Sequence, residues 1–321
     1  MSTAAPQLSE LITQLLEISA ALAAAPVFLG WVNQCRAWLS NRRAPSLWLP
    51  YRNICKLFDK DAVLAESASP LFRFAPYVVF STMVVAAGII PSMDTRLPLV
   101  VAADAIALVG LFATARVFLS LAAMDVGTAF GTLGARREMM VGFLAEPALL
   151  MVIFVASMIS STTALPAISE HLVTQSFGLY PSLAFTAVAF TLVLLAENAR
   201  IPVDNPATHL ELTMIHEAML LEYSARHLAL MEWASALRLF NYACIGFALF
   251  VPWGVATGAI GPLGLALSIP MLALKLGVAG AGLATIETVS AKLRVMRAPE
   301  FLATAFLFAV LGLLVHVLLK T

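Results

Sequence analysis

Long apolar runs alternate with short polar connections along most of the chain. Eight runs stand out, at about residues 11–32, 74–92, 97–124, 139–160, 179–196, 239–260, 262–288 and 301–319. A helix rises about 1.5 Å per residue, so about 20 apolar residues cross the hydrocarbon layer of a bilayer. The pattern predicts an all-α integral membrane protein with about eight transmembrane helices. No internal repeat and no low-complexity linker divides it, so residues 1–321 read as a single polytopic membrane domain. No basic cluster precedes the first run, and Glu10 and Glu17 lie in or beside it. That run reads as a membrane span and not as a cleaved signal peptide.

Two longer polar stretches break the alternation, a first loop at 36–73 and an acidic segment at 197–237. In the first, Leu47, Trp48, Tyr51, Ile54, Cys55, Leu57 and Phe58 are apolar among Arg52, Asn53 and Lys56. The spacing predicts a short amphipathic helix that starts around Pro50, with Trp48 and Tyr51 suited to the headgroup layer. Such a helix steadies the ends of the spans, or else forms a docking surface or a portal for a lipid-borne molecule.

Charge adds an orientation. Of the 19 Lys and Arg residues, fifteen fall on one set of connections. Arg36, Arg42, Arg43, Arg52, Lys56, Lys60 and Arg73 follow span one, and Arg136 and Arg137 follow span three. Arg200, Arg226 and Arg238 follow span five, and Lys292, Arg294 and Arg297 follow span seven. The other side keeps Arg96 and Lys320, while Arg116 and Lys275 fall inside spans. The positive-inside rule then puts the odd-numbered loops in the cytoplasm and both termini outside.

The composition is 61% hydrophobic and 12% charged, against about 45–50% and about 25% in soluble domains. A neutral net charge and the lack of a Lys/Arg-rich run exclude nucleic acid as a partner. Cys35, Cys55 and Cys244 are scattered and form no CxxC or CxxH pair, so this chain offers no zinc or iron–sulfur site of its own.

Residues 196–232 hold Glu197, Asp204, Glu211, Glu217, Glu222 and Glu232 together with His209, His216 and His227. Nearly a third of the 19 acids thus sit in 37 residues of a very apolar chain. Pro202 and Pro206 end the preceding helix. Asn205 with Pro206, or Thr208 with Glu211, can then start another that runs on to about Ala236. His209, His216, Tyr223 and His227 would share one face of it, and Glu222 and Arg226 would pair across one turn. "HEAML" at 216–220 lacks the second histidine of a zinc-protease helix, and no Ser or Cys has a base beside it. A solvated loop fits poorly with acids alternating among Leu, Met and Ile. A half-buried chain of carboxylates remains. Low dielectric favours holding a proton on such groups, and neighbours within one water can relay it. Glu138 and Glu146 extend that chain from one face of span four, as do Asp125 and Glu287 at span ends. Arg116 and Lys275 either counter these acids or snorkel.

"AENARIPVDNP" at 196–206 followed by "EYS" at 222–224 resembles the membrane subunit that anchors the hydrophilic arm of respiratory complex I. The resemblance falls on Glu197, Arg200, Pro202, Asp204, Pro206 and Glu222-Tyr223-Ser224. "LGARRE" (133–138) is similar to that subunit's loop before span four, with Glu138 as its acid, and "NRRAP" (41–45) to its first loop. "PYRNICKLFDKDAV" (50–63), "FLAEPALLM" (143–151, bringing Glu146) and "FVPWG" (250–254) resemble more closely the homologous subunit of energy-converting membrane hydrogenases, the hydrogenase-4 component C and formate hydrogenlyase subunit 4 group. Ala207 and His209 stand where the complex I pattern has acids, and about three extra residues precede Glu222.

The resemblance implies a non-catalytic subunit of a bacterial or archaeal cytoplasmic (inner) membrane oxidoreductase complex. It implies proton relay by Glu138, Glu146, Glu197, Asp204, Glu211, Glu217 and Glu222. It implies docking of soluble partners by Arg42, Arg43, Arg52 and Lys56, and structuring of the loop by Arg200, paired with Glu197 or Asp204. The partners it implies are soluble hydrogenase large and small subunits, a ferredoxin-like iron–sulfur subunit, antiporter-like membrane subunits and lipid. The [NiFe] centre and iron–sulfur clusters would lie in those partners, with no cofactor in this chain. Three alternatives stand beside this expectation. One is a quinone-site subunit of an NADH dehydrogenase, with a headgroup pocket between span one and the first loop. Another is a stand-alone transporter, which would show inverted repeats. The third is a purely structural anchor.

Overall fold

The computed structural model describes residues 8–95, 98–101, 104–174, 181–204, 214–255, 261–291 and 297–320. In chain order the helices are α1 (Leu8–Leu39), α2 (Leu49–Phe58), α3 (Pro70–Ile89), α4 (Ala105–Asp125), α5 (Ala129–Ser160), α6 (Leu165–Thr174), α7 (Pro181–Glu197), α8 (His216–Leu220), α9 (Ala225–Phe250), α10 (Gly261–Val289) and α11 (Ala298–Lys320), with a 3₁₀ turn at Pro98–Val101. Seven of these are long and apolar enough to cross a membrane, namely α1, α3, α4, α5, α9, α10 and α11. The 17-residue α7 is apolar and sits at the lower limit of length, so the bundle agrees with about eight crossings.

The helix starts follow local chemistry. Ser69 accepts the Leu71 N–H at the head of α3, with Pro70 next in the chain. Asp104 accepts the N–H groups of Ile106 and Ala107 at the head of α4, and Thr128 caps α5. The predicted amphipathic helix is α2. It begins at Leu49, buries Ile54 against the bundle and leaves Trp48 and Tyr51 exposed.

Packing makes α9 the axis. It lies against α1, α2, α3, α6 and α7, and α4, α5, α7 and α11 continue the bundle to one side. α10 lies along α1. In α9, 72% of the most apolar stretch is buried, more than in any other of the seven spans, and this is the least apolar of them. A helix surrounded by protein tolerates polar residues that a lipid-facing one does not. That is why the expected start of span six, residue 239, differs from the observed Ala225. Arg238, counted above as a loop residue, lies inside the bundle and is buried.

The acidic segment also differs from expectation. It is no single helix: α8 ends at Leu220, and residues 221–224 form a turn before α9. His216, Tyr223 and His227 therefore do not share one helical face. The stretch that holds Asn205, Pro206, Thr208, His209 and Glu211 lies outside the described residues. Within the turn, Tyr223 stacks on Phe72 at 4.0 Å and donates to the Phe72 carbonyl at 3.1 Å. Ser224 donates to the Val63 carbonyl and accepts the Val63 N–H. The "EYS" residues thus tie the turn to the first loop and to α3. Burial, with Asp125 adding to it, pushes the Tyr223 hydroxyl well above its ordinary value.

Candidate functional site

α5 carries Glu138, Gly142 and Glu146 at four-residue steps, which places all three on one face. Arg116 of α4 reaches into the gap between the two acids. Its Nε stands 3.6 Å from Glu138 Oε1, its Nη1 donates to Glu146, and its Nη2 donates to Glu197 at the end of α7. Arg238 of α9 adds a second guanidinium, 4.0 Å from Glu138 Oε1. The Tyr242 hydroxyl lies within hydrogen-bonding reach of Glu197. Four helices thus bring three carboxylates and two guanidiniums together. Arg116, Glu138, Glu197 and Arg238 are buried, whereas the Glu146 side chain keeps 34% of its surface exposed.

Gly142 is what lets this happen. A Cβ there would stand 2.6 Å from Arg116 Cδ and 2.8 Å from Cζ, closer than real atoms approach. Gly142→Ala is expected to push the guanidinium away from at least one carboxylate, at a cost of about 1–3 kcal/mol. A lowered melting temperature of the purified protein would show it; an unchanged one would mean that Arg116 retracts freely.

Beside the cluster lies a second feature, a cavity of about 590 Å³. Its walls are α1 and α2, the turn after α7, α8, α9 and α10. Arg36, Asn53, Arg200, Glu217, Glu232 and Glu287 supply much of its polar lining. Glu287 is wholly buried and lies 3.5 Å from Arg36 and 3.3 Å from Arg200. Arg200 therefore pairs with Glu287 of α10, where Glu197 or Asp204 was the expected partner. The backbone explains it: Ala199 takes φ 49° after α7 and turns the chain, which aims Arg200 across the cavity. Burial lowers Arg200 from its ordinary value, with Arg36 and Arg238 adding to the fall and Glu287 opposing it.

The remaining expected residues are placed as follows. Asp204 is buried and its Oδ2 accepts the His216 N–H at 3.2 Å. That bond fixes the start of α8, which Arg137 holds to α5 through the Met214 carbonyl at 2.9 Å. Glu217 sits at the cavity rim, and Glu222 is exposed on the turn before α9. Glu211 lies outside the described residues. Arg42, Arg43, Arg52 and Lys56 are all exposed on the side of the bundle that carries α2. Lys275 stands apart from the cluster: it donates to the Val251 carbonyl at 2.7 Å, beyond the end of α9. Sequence reasoning did not give Arg238, Tyr242 or Gly142 a part in the site. The glycine midway between two acids on one helix face was the available signal for a third group entering there. His216 lines both this cavity and the space behind it; burial, with Arg238 adding to it, pushes its imidazole down to about 3.

The chain is similar to several known proteins. Residues 12–318 match the NADH dehydrogenase family. The chain is 33% identical over 303 residues to formate hydrogenlyase subunit 4 of Escherichia coli (strain K12), covering 93% of this chain and 96% of that protein. It is 36% identical over 232 residues to hydrogenase-4 component C of the same organism, covering 72% of each. Among solved structures, a chain of the membrane-bound sulfane sulfur reductase, an archaeal respiratory membrane complex, has the same fold. The TM-score is 0.81 at 18% identity, over 95% of this chain and 98% of that one.

Proposed function

This chain belongs to the NADH dehydrogenase family, and from that premise we propose that it is the membrane anchor and proton-path subunit of a hydrogenase-4 or formate-hydrogenlyase-like oxidoreductase complex. It is a multi-pass membrane subunit of an oxidoreductase complex. Within that role, the α2 side faces the cytoplasm, both termini face outward, and Arg42, Arg43, Arg52 and Lys56 receive soluble redox subunits. Those subunits are hydrogenase large and small chains and a ferredoxin-like iron–sulfur chain, which carry the metal centres. Antiporter-like membrane subunits take up the transmitted energy, and the surrounding lipid belongs to the cytoplasmic membrane of a bacterium or archaeon.

One observation carries this reading: the Arg116 cluster, three carboxylates from two helices arranged around guanidiniums inside a membrane bundle. Ionisable groups at that depth are costly, and in membrane proteins they mark ion and proton paths. The cluster holds one carboxylate more than it has guanidiniums, and within low dielectric a proton balances that charge. It also sits beside a polar cavity walled in part by α2. Proton entry from the cavity, exchange among Glu138, Glu146 and Glu197, and passage onward to a membrane partner form one route. Asp204, Glu211, Glu217 and Glu222 belong to its cytoplasmic approach, and Arg200 shapes the loop beside it.

The test uses the intact complex in sealed vesicles. Glu138→Gln and Glu197→Gln are each expected to lower the number of protons moved per electron by about tenfold or more, as loss of a positioned proton carrier does. Electron transfer to the soluble acceptor should continue. A wild-type ratio in both variants would remove the cluster from the path.

The cavity favours a second reading, that of a quinone-site subunit. Its volume of about 590 Å³ falls within the range of small-molecule pockets, and residues of α1 and α2 form part of its wall. Quinone-dependent turnover by the intact complex, inhibited by ligands that compete for the headgroup, would support it.

A further inference from the structure

Between the large cavity and the Arg116 cluster lies a small void of about 20 Å³. His216, Leu220 and Ser235 line both spaces, so they form the partition. Arg116 and Arg238 line the void from the cluster side. Three buried polar atoms of these lining residues have no hydrogen-bond partner in the protein: Arg116 Nε, Arg238 Nε and His216 Nδ1. Both arginines are more than nine-tenths buried, at 5% and 8% exposure. Arg116 Nε lies 3.6 Å from Glu138, beyond hydrogen-bond length. Leaving three such atoms unpaired is costly, and native proteins rarely do so.

The chemistry of the three atoms is complementary. Each guanidinium Nε–H only donates, whereas the Nδ1 of a neutral imidazole protonated at Nε2 only accepts. One water has two lone pairs for the two donors and a proton for the acceptor; Ser235 lines the same space. A space of about 10–15 Å³ suffices for one water when two to four polar groups face it. We propose that this void binds a single water that bridges Arg116, Arg238 and His216, and that His216 is the residue through which protons cross between the cavity and the buried carboxylates.

The second half of this inference rests on the proton-path reading above; the water site does not. In the step itself, a protonated carboxyl on the cavity side, Glu217 or Glu232, gives its proton to one ring nitrogen as the other nitrogen gives its own to the bridging water. The water passes a proton on to the carboxylate of Glu138, which lies 3.6 Å from Arg116 Nε. One N–H bond forms and one breaks, one carboxyl loses a proton and another gains it, and the ring ends neutral as the other tautomer. A turn of the ring that exchanges the places of its two nitrogens restores the starting state without returning the proton. The neutral ring that this needs accords with the strong downward shift of His216, and the Asp204 bond to its backbone holds it in the partition.

Two measurements decide it. A cryo-EM map of the intact complex, fine enough to show ordered water, should hold a density within hydrogen-bond distance of both Nε atoms and His216 Nδ1; a dry void overturns the water site. In vesicles, His216→Leu and His216→Asn are compared with Glu138→Gln for protons moved per electron and for electron-transfer rate. Asparagine Oδ1 takes the place of Nδ1 and keeps the water, but an amide does not exchange protons. Both His216 variants are expected to lose about tenfold or more of the ratio while electron transfer persists. If His216→Asn keeps the wild-type ratio while Glu138→Gln loses it, the role of His216 is overturned and the proton-path reading stands. Should Glu138→Gln, Glu197→Gln and both His216 variants all keep it, the path itself falls. If the leucine variant does not assemble, the asparagine variant, close to histidine in shape and polarity, decides alone.

Discussion

Arg116→Leu is expected to give a protein that barely assembles, with the loss concentrated where α4, α5 and α7 meet. The guanidinium pairs with Glu146 and Glu197 and flanks Glu138. Without it, three carboxylates face one another and only Arg238, 4.0 Å from Glu138, remains. Removing one partner of a buried pair costs about 3–5 kcal/mol, because the other charge is left in low dielectric. Whole domains are stable by only about 5–15 kcal/mol. Thermal unfolding in detergent and retention of the subunit in the purified complex are the readouts. Lysine is expected to rescue partly, since one compact ammonium cannot serve carboxylates on two sides as a planar fork does. The sharper control is Arg116→Leu with Glu146→Gln and Glu197→Gln. Removing the surplus charge should recover much of the stability, because the loss comes from repulsion and desolvation and less from missing contacts. Native-like stability in Arg116→Leu alone would mean that the cluster does not hold the bundle together.

The reach of that one side chain also explains what the sequence could and could not tell. Apolar runs fix where spans lie, since lipid imposes a length on each, and α10 at Gly261–Val289 falls almost where 262–288 was expected. The amphipathic period of α2 and the Pro50 start were legible for the same local reason. Glu138 and Glu146 were legible as a pair because eight residues are close to two helical turns. Their counter-ion was not, because Arg116 is 30 residues from Glu146 and 81 from Glu197 in sequence. α9 was misplaced at its start because hydropathy assumes a lipid neighbour, and most of this helix is covered by protein. The break at 221–224 escaped notice because Leu, Glu, Tyr and Ser carry no helix-breaking residue. Tertiary contacts, namely Tyr223 on Phe72 and Ser224 on Val63, hold the chain there against its propensity. Arg200 was expected to pair with a near neighbour, Glu197 or Asp204, whereas the turn at Ala199 sends it to a helix 87 residues away.

That distant pair carries the second large effect. Glu287→Leu is expected to cost about 3–5 kcal/mol, with the damage at the cavity wall and not at the Arg116 cluster. The Glu287 side chain has no exposed surface and stands between Arg36 and Arg200, whose side chains are 34% and 12% exposed. Arg36 can turn to solvent when the carboxylate is gone, so Arg36→Leu should cost no more than about 1 kcal/mol. Arg200 has less room to turn. Left alone it must enter the cavity and carry the turn after α7 with it. Asp204 lies on that turn and holds the backbone of His216, so the partition between cavity and cluster should loosen as well. α10 also depends on this contact, since it packs chiefly along α1 and touches α9 only lightly. Thermal unfolding of Glu287→Leu, Glu287→Gln, Arg36→Leu and the double variant Glu287→Leu with Arg200→Leu separates these contributions. The glutamine variant should fall between wild type and leucine, because an amide still accepts from Arg200. The double variant should be more stable than Glu287→Leu, since it removes the stranded charge. A double variant that is less stable by the sum of its parts would show instead that the two side chains act independently, and the clasp across the cavity would have to be abandoned.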